Sequence, residues 1–342
     1  APIERLSSRR RYTQTVGREL GRDPMTRDVA QRIGNCSLRL ALALEQQDGE
    51  KARALITSGM FCQARLCPIC EWRRTRAWRG RIAAGLSRFA ADHPTHRAIF
   101  ATFTVRNCPV PATRETIQWM HAGFRSMTRA EFWPSPFWLR RTEVTIGNPA
   151  FIDGLPKAPE NQGSRKRGTE ETADITNPPA ISTPQVASPY GLWAHPHIHS
   201  LIMVPAAYFS GRKYIKQVEW QRQWAAALDL DYAPIVDVRK TTSKEGSPVL
   251  ADAAMDAVME AAKYITKADQ ISKLGPLASE MHQQLKGQRM IQLSQRLGKY
   301  IRDGEIQPGE YLDNDEVEAS TLPMFHTVVE WDSLLSQYRI NG

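Results

Sequence analysis

The chain has 342 residues, 42% of them hydrophobic, and carries a formal net charge of +9 with a pI near 9.4. That is enough length and apolar content for a buried core and for more than one domain. No apolar run approaches the roughly 18 residues that a membrane span needs, and "APIERLSSRRRYTQ" at the start has no apolar stretch of the secretory kind. A cytoplasmic protein without membrane contacts is expected. Its basic balance favours a polyanionic partner, because Lys and Arg that neutralise phosphates release counterions.

Residues 1–30 are polar and arginine-rich and read as a basic, flexible N-terminus. "DVAQRIGNCSLRLALALEQ" has apolar residues at helical spacing and predicts a helix. "CQARLCPIC" then brings together Cys62, Cys67 and Cys70, three of the five cysteines. In a reducing compartment such spacing reads as metal thiolate rather than disulfide. A closed tetrahedral zinc site needs a fourth ligand, and Cys36 is the best candidate; the competing reading is a set of reduced thiols in a helical turn. Cys108 reads as a lone core or edge thiol. "PICEWRRTRAWRGRIAAGLSRFAADH" predicts a long amphipathic helix with Trp72, Ala83 and Leu86 inward. Its Arg73, Arg74, Arg76, Arg79 and Arg81 are candidate DNA contacts, or else a solvated face. Residues 31–92 are expected to form a helical, zinc-binding N-terminal module.

From residue 97 the texture changes. "RAIFATFTVRN" alternates and is rich in β-branched and aromatic residues, so it predicts a strand. A helix over "TRETIQWMHAGFRSMTRAEF" follows, then strands in "FWLRRTEVTIGN", "GLWAHPHIHSLIMVP" and "YAPIVDVRKTT", with helices in "SGRKYIKQVEWQRQWAAALDL" and "VLADAAMDAVMEAAKYITKAD". Residues 153–189, rich in Pro, Ser and Thr and without apolar periodicity, read as a disordered insertion at a hairpin tip. No G-x4-G-K-[ST] occurs, so nothing points to a P-loop ATPase. Residues 271–342 are mixed and yield no role.

The chemistry concentrates in "HPHIH". Strand side chains alternate between faces, so His195, His197 and His199 share one face and Ile198 takes the other. Two imidazoles two residues apart can converge on one ion, and a carboxylate from a neighbouring strand is expected to join them. Glu143, alternating with Arg141 and Thr145, supplies it if residues 138–147 and 192–204 pair as a hairpin. Two nitrogens and one oxygen with open positions suit Mg²⁺ or Mn²⁺ acting on a phosphate. A second group lies in "MEAAKYITK", where Glu260, Tyr264 and Lys267 fall on one face of a predicted helix. A tyrosine is a poor nucleophile at its free pKa, and a nearby ammonium and a metal-polarised phosphate would help it react.

The order of these elements resembles the HUH endonucleases, and more closely the replication initiator (Rep) proteins of rolling-circle plasmids. "FATFTVRN", "HPHIH" and "EAAKYITK" look like the family's three motifs, and "CQARLCPICEWRR" is similar to its cysteine-rich region. The resemblance runs from about residue 30 to about 270. It implies an α+β fold over 97–270, with a central antiparallel sheet of HUH type flanked by helices. It also implies an endonuclease and strand transferase: His197, His199 and Glu143 hold the divalent metal, and Tyr264 attacks the scissile phosphodiester. The products would be a 5′-phosphotyrosine link and a 3′-OH primer. Glu260 would activate water at termination, and His195 would neighbour the metal or ligate it. Origin DNA, single-stranded or cruciform at the nick, with a host helicase and DNA polymerase, are the partners implied. Two other functions fit the residues: a metal-dependent hydrolase using water, and a non-catalytic zinc-containing DNA-binding regulator. Relaxases and transposases of the same superfamily are nearer alternatives.

Overall fold

The computed structural model describes residues 2–45, 53–147, 191–241, 274–275, 277–302, 310–311 and 324–341. The chain divides into two compact units: Ala1–Gly80 with Lys267–Gln283 and Glu305–Gly342, and Arg81–Thr266 with Gln284–Gly304. These divisions differ from segments 31–92, 97–270 and 271–342, because the end of the chain contributes to both units.

In the first unit, α1 (Pro2–Gly21) packs on α2 (Arg27–Gly34). The expected flexible start is therefore a helix. Its Leu6, Val16 and Leu20 are buried, and so is Arg10. The Arg10 guanidinium donates to the carbonyls of Ile33 and Gly34 at the end of α2, where helix carbonyls lack internal partners. A second correction concerns residues 28–46. The helix ends at Gly34, and Arg39–Glu45 is the strand β1. Leu and Ala favour helices, but Leu38, Leu40, Leu42 and Leu44 recur at period two. Tertiary pairing overrides propensity here. β1 is bonded on one side to β2 (Arg53–Gly59) and on the other to β10 (Met324–Asp332), and Leu40 and Leu42 are fully buried. With β9 (Glu310–Tyr311) and β11 (Gln337–Asn341) the sheet order is β11-β10-β1-β2-β9.

The long helix is α3 (Pro68–Asp92), as its periodicity predicts. Trp72, Ile82, Leu86 and Phe89 are buried, while Ala83 is only half covered.

The second unit holds a six-stranded antiparallel sheet, in the order β7 (Val236–Lys240), β3 (His96–Thr104), β6 (Trp193–Pro205), β5 (Trp138–Gly147) and β8 (Ile291–Leu293), with β4 (Cys108–Pro109) also on β6. The four strands expected from alternation are all present. β8 and α6 (Gln295–Arg302), from the stretch that yielded no role, were not foreseen. One face of the sheet is closed by α4 (Thr113–Arg129) and α5 (Gln217–Leu228). α4 buries Ile117, Met120, Phe124 and Met127 at helical spacing; Met120, Phe124 and Met127 pack with Phe103, Ile198, Ile202, Trp220 and Trp224 into one core. Ile198, Ile202 and Val204 of β6 enter this core, and strand alternation leaves the odd-numbered histidines on the opposite face. The architecture is thus α+β with antiparallel sheets. The insertion 153–189 lies outside the described residues.

Candidate metal centre and cysteine cluster

The register of β5 on β6 decides the first site. The two strands pair antiparallel from Trp138↔Ile202 to Gly147↔Trp193, which sets Glu143 directly across from His197 and Arg141 across from His199. Directly opposed residues on one face have neighbouring side chains. The Glu143 Oε2 atom lies 3.5 Å from Nε2 of His197 and 3.5 Å from Nε2 of His199. The three ligand atoms fall within 4.8 Å of one another. Two ligands each about 2.1 Å from one ion are separated by roughly 3.0 Å at right angles and roughly 3.4 Å at the tetrahedral angle. The donor set and its spacing fit a divalent cation.

Burial works against charge on Glu143, but hydrogen bonds and attraction from His197 and His199 outweigh it and hold the carboxyl well below the usual range. Each ring is also held from behind. The Nδ1 atom of His199 lies 3.1 Å from Thr102 Oγ1, and its ring stacks on Phe100 at 5.4 Å between centroids. His197 Nδ1 lies 3.2 Å from the carbonyl of His195, and His195 Nδ1 lies 2.7 Å from Asn107 Oδ1. Burial first, then the neighbouring His197, pushes His195 down to about 3, so it is neutral at physiological pH. Thr102 and Asn107 escaped the reading of residues by type. Both lie in "FATFTVRN", but only the β3–β6 register, Thr102↔His199, gives Thr102 its partner.

Behind the sheet, Arg140 is buried and donates to Thr142 Oγ1 and Gln292 Oε1. Burial, with Arg125 and Arg289 nearby, lowers it to about 9, so it stays charged. Thr142 Oγ1 also meets Nε2 of His121 at 2.7 Å, and burial with Arg140 and Arg125 lowers His121 to about 3.

The first unit carries the second site. Cys36, Cys62, Cys67 and Cys70 converge, with Sγ separations of 3.6 Å for 36–70, 62–70 and 36–67. A tetrahedral ion with bonds of about 2.3 Å to sulfur sets its ligands roughly 3.8 Å apart. The cluster fits such an ion. Hydrogen bonds from the other three sulfurs, with burial, push the Cys67 thiol up, while the bonds from Cys36 and Cys67 lower Cys62. Cys108 is apart from this group, buried and raised to about 11 by that burial.

The five arginines do not form one outward row. Arg74 donates to Glu71 Oε2 and to the carbonyls of Gln63, Ala64 and Arg65, so it braces the cysteine loop. Arg73 lies over the Phe61 ring at 3.4 Å and Arg76 over Trp72 at 5.5 Å. Arg73, Arg76, Arg79 and Arg81 are all half-buried. Glu260, Tyr264 and Lys267 lie outside the described residues.

The family model described as "Replication protein" matches residues 53–339. The chain belongs to this family. "Protein rep" of Streptococcus pneumoniae serotype 2 (strain D39 / NCTC 7466) is 26% identical over 324 residues, 92% of this chain and 85% of that protein. "Protein rep" of Bacillus amyloliquefaciens is 28% identical over 250 residues, 70% of this chain and 60% of that one. A third relative, "Protein rep" of Lactiplantibacillus plantarum, is 23% identical over 295 residues, 82% and 80% of the two chains. No solved structure matches. The resemblance to Rep proteins drawn from the three motifs is borne out at the level of family. Among the described residues no helix is long and apolar enough to cross a membrane.

Proposed function

We propose that this Rep-family protein initiates rolling-circle replication by nicking one strand at a double-strand origin, on an HUH-type fold. The observation that carries the reading is the convergence of Glu143, His197 and His199 on one face of an antiparallel sheet in a replication protein. A divalent ion there, Mg²⁺ or Mn²⁺, would polarise the scissile phosphodiester. Tyr264 supplies the nucleophile. Its phenolic oxygen bonds to phosphorus as the bond to the 3′-oxygen breaks, leaving a 5′-phosphotyrosine and a 3′-OH that a host polymerase extends. Lys267, near Tyr264 on the same predicted helix face, favours the phenolate. Glu260 takes the proton of water at termination. The four cysteines fit structural zinc, and Arg73, Arg76, Arg79 and Arg81 contribute to origin binding mainly through phosphates. A host helicase unwinds the duplex, consistent with a sequence lacking a P-loop pattern.

The test incubates the protein and its Tyr264→Phe variant with Mn²⁺ and labelled single-stranded origin DNA, followed by denaturing gels. A covalent protein–DNA adduct, lost in the variant, is expected. Cleavage that survives in the variant without an adduct would favour a hydrolase using water. Binding without cleavage would favour a regulator.

A further inference from the structure

We infer that "FATFTVRN", residues 100–107, is the positioning layer of the histidine centre: Phe100 and Thr102 fix the ring of His199, and Asn107 fixes that of His195. This rests on reading Glu143, His197 and His199 as a divalent-metal site, and assigns a role to a segment that reading leaves without one.

The segment is two-faced. Ala101, Phe103 and Val105 are buried in the core under α4 and α5. Phe100, Thr102 and Thr104 take the other face, where Thr102 opposes His199 and Thr104 opposes His197. An imidazole binds a metal only through an unprotonated nitrogen, and the partner of its second nitrogen decides which one that is. His199 turns Nε2 toward Glu143; a metal on Nε2 leaves the proton on Nδ1, and Thr102 Oγ1 at 3.1 Å is placed to accept it. Phe100, stacked 17° from parallel with the His199 ring, hinders rotation of that ring out of place. His197 needs no side chain, because its Nδ1 meets the His195 carbonyl of its own strand. His195 needs one, and Asn107 provides it. The turn that presents Asn107 is itself anchored. The Arg106 N–H donates to the Tyr232 hydroxyl at 3.1 Å, and the Arg106 guanidinium lies over the Tyr232 ring at 3.9 Å.

Thr102→Val keeps the shape and strand preference of threonine and removes only the hydroxyl. Thr102→Ser keeps the hydroxyl. The experiment measures Mn²⁺ affinity by calorimetry for the full chain, both variants and His199→Ala. It also reads imidazole tautomers from ¹⁵N-histidine spectra of the metal-free protein. Thr102→Val is expected to weaken Mn²⁺ binding about 10- to 100-fold, the usual cost of removing a partner behind a metal ligand. Thr102→Ser restores it, and the His199 ¹⁵N spectrum changes in the valine variant alone, because Nδ1 has lost its hydroxyl partner. Unchanged affinity together with an unchanged His199 spectrum in Thr102→Val would overturn the inference. Should wild type and His199→Ala bind Mn²⁺ equally, the metal reading fails. The tautomer spectrum then decides by itself: a shift in Thr102→Val supports the positioning role and no shift refutes it.

Discussion

Arg74→Ala separates what the arginine cluster looks like from what it does. In the structure the Arg74 guanidinium places two donors on Glu71 Oε2, at 3.1 and 2.9 Å, and reaches the carbonyls of Gln63, Ala64 and Arg65 at 3.0, 3.1 and 3.3 Å. These carbonyls belong to the loop between Cys62 and Cys67. The Glu71 side chain is 7% exposed and that of Arg74 35%. A charge-assisted bond to a shielded carboxylate contributes roughly 1.5–3 kcal/mol and each carbonyl bond up to about 1 kcal/mol, discounted for the exposed part of Arg74. The variant should therefore lose about 3 kcal/mol of stability in the first unit. Arg74→Lys should recover little of it, because an ammonium cannot fork across four acceptors. Urea unfolding gives the stability, a chromogenic chelator gives the release rate of zinc loaded on the four cysteines, and DNA binding against salt gives the phosphate count. Loaded zinc should leave faster, and the salt slope should be unchanged under conditions where the protein stays folded. A variant of wild-type stability whose salt slope fell by about one phosphate contact would refute the bracing role and return Arg74 to the DNA surface.

Two further outcomes are expected. Glu143→Gln removes the carboxylate that faces His197 and His199, and its Mn²⁺ affinity, measured by calorimetry, should fall at least about tenfold. Equal affinity would remove Glu143 from the ligand set. For His121 the sign follows from its lowered pKa. The unfolded chain binds the proton first, so stability is present above the unfolded value of about 6.5 and is lost as pH falls below it, toward about 3. Between roughly pH 7.5 and 5 that loss is about 2 kcal/mol, and His121→Gln should flatten the unfolding profile by that amount. A parallel profile would show that His121 takes its proton while the protein is folded.

Much of this protein is legible in its sequence because the signals are local. Alternation marks β3, β5, β6 and β7, helical spacing marks α3, α4 and α5, and "CQARLCPIC" with Cys36 names a cluster that the fold closes. The side-chain alternation of a strand also places three histidines on one face before any partner is known. What the sequence could not decide depends on pairing between distant segments. Residues 39–45 carry helix-forming Leu and Ala, yet β10 from the far end of the chain makes them a strand. Arg10 reads as part of a flexible basic start and Arg74 as a candidate DNA contact until a helix end and a cysteine loop are brought against them. Thr102 became a partner of His199 only when β3 and β6 took their register. A one-residue slip would have turned it to the other face. Chemistry-bearing residue types were written in the chain, whereas their second partners were fixed by the tertiary structure, because a hydrogen bond a few ångströms long depends on spatial register and not on sequence separation.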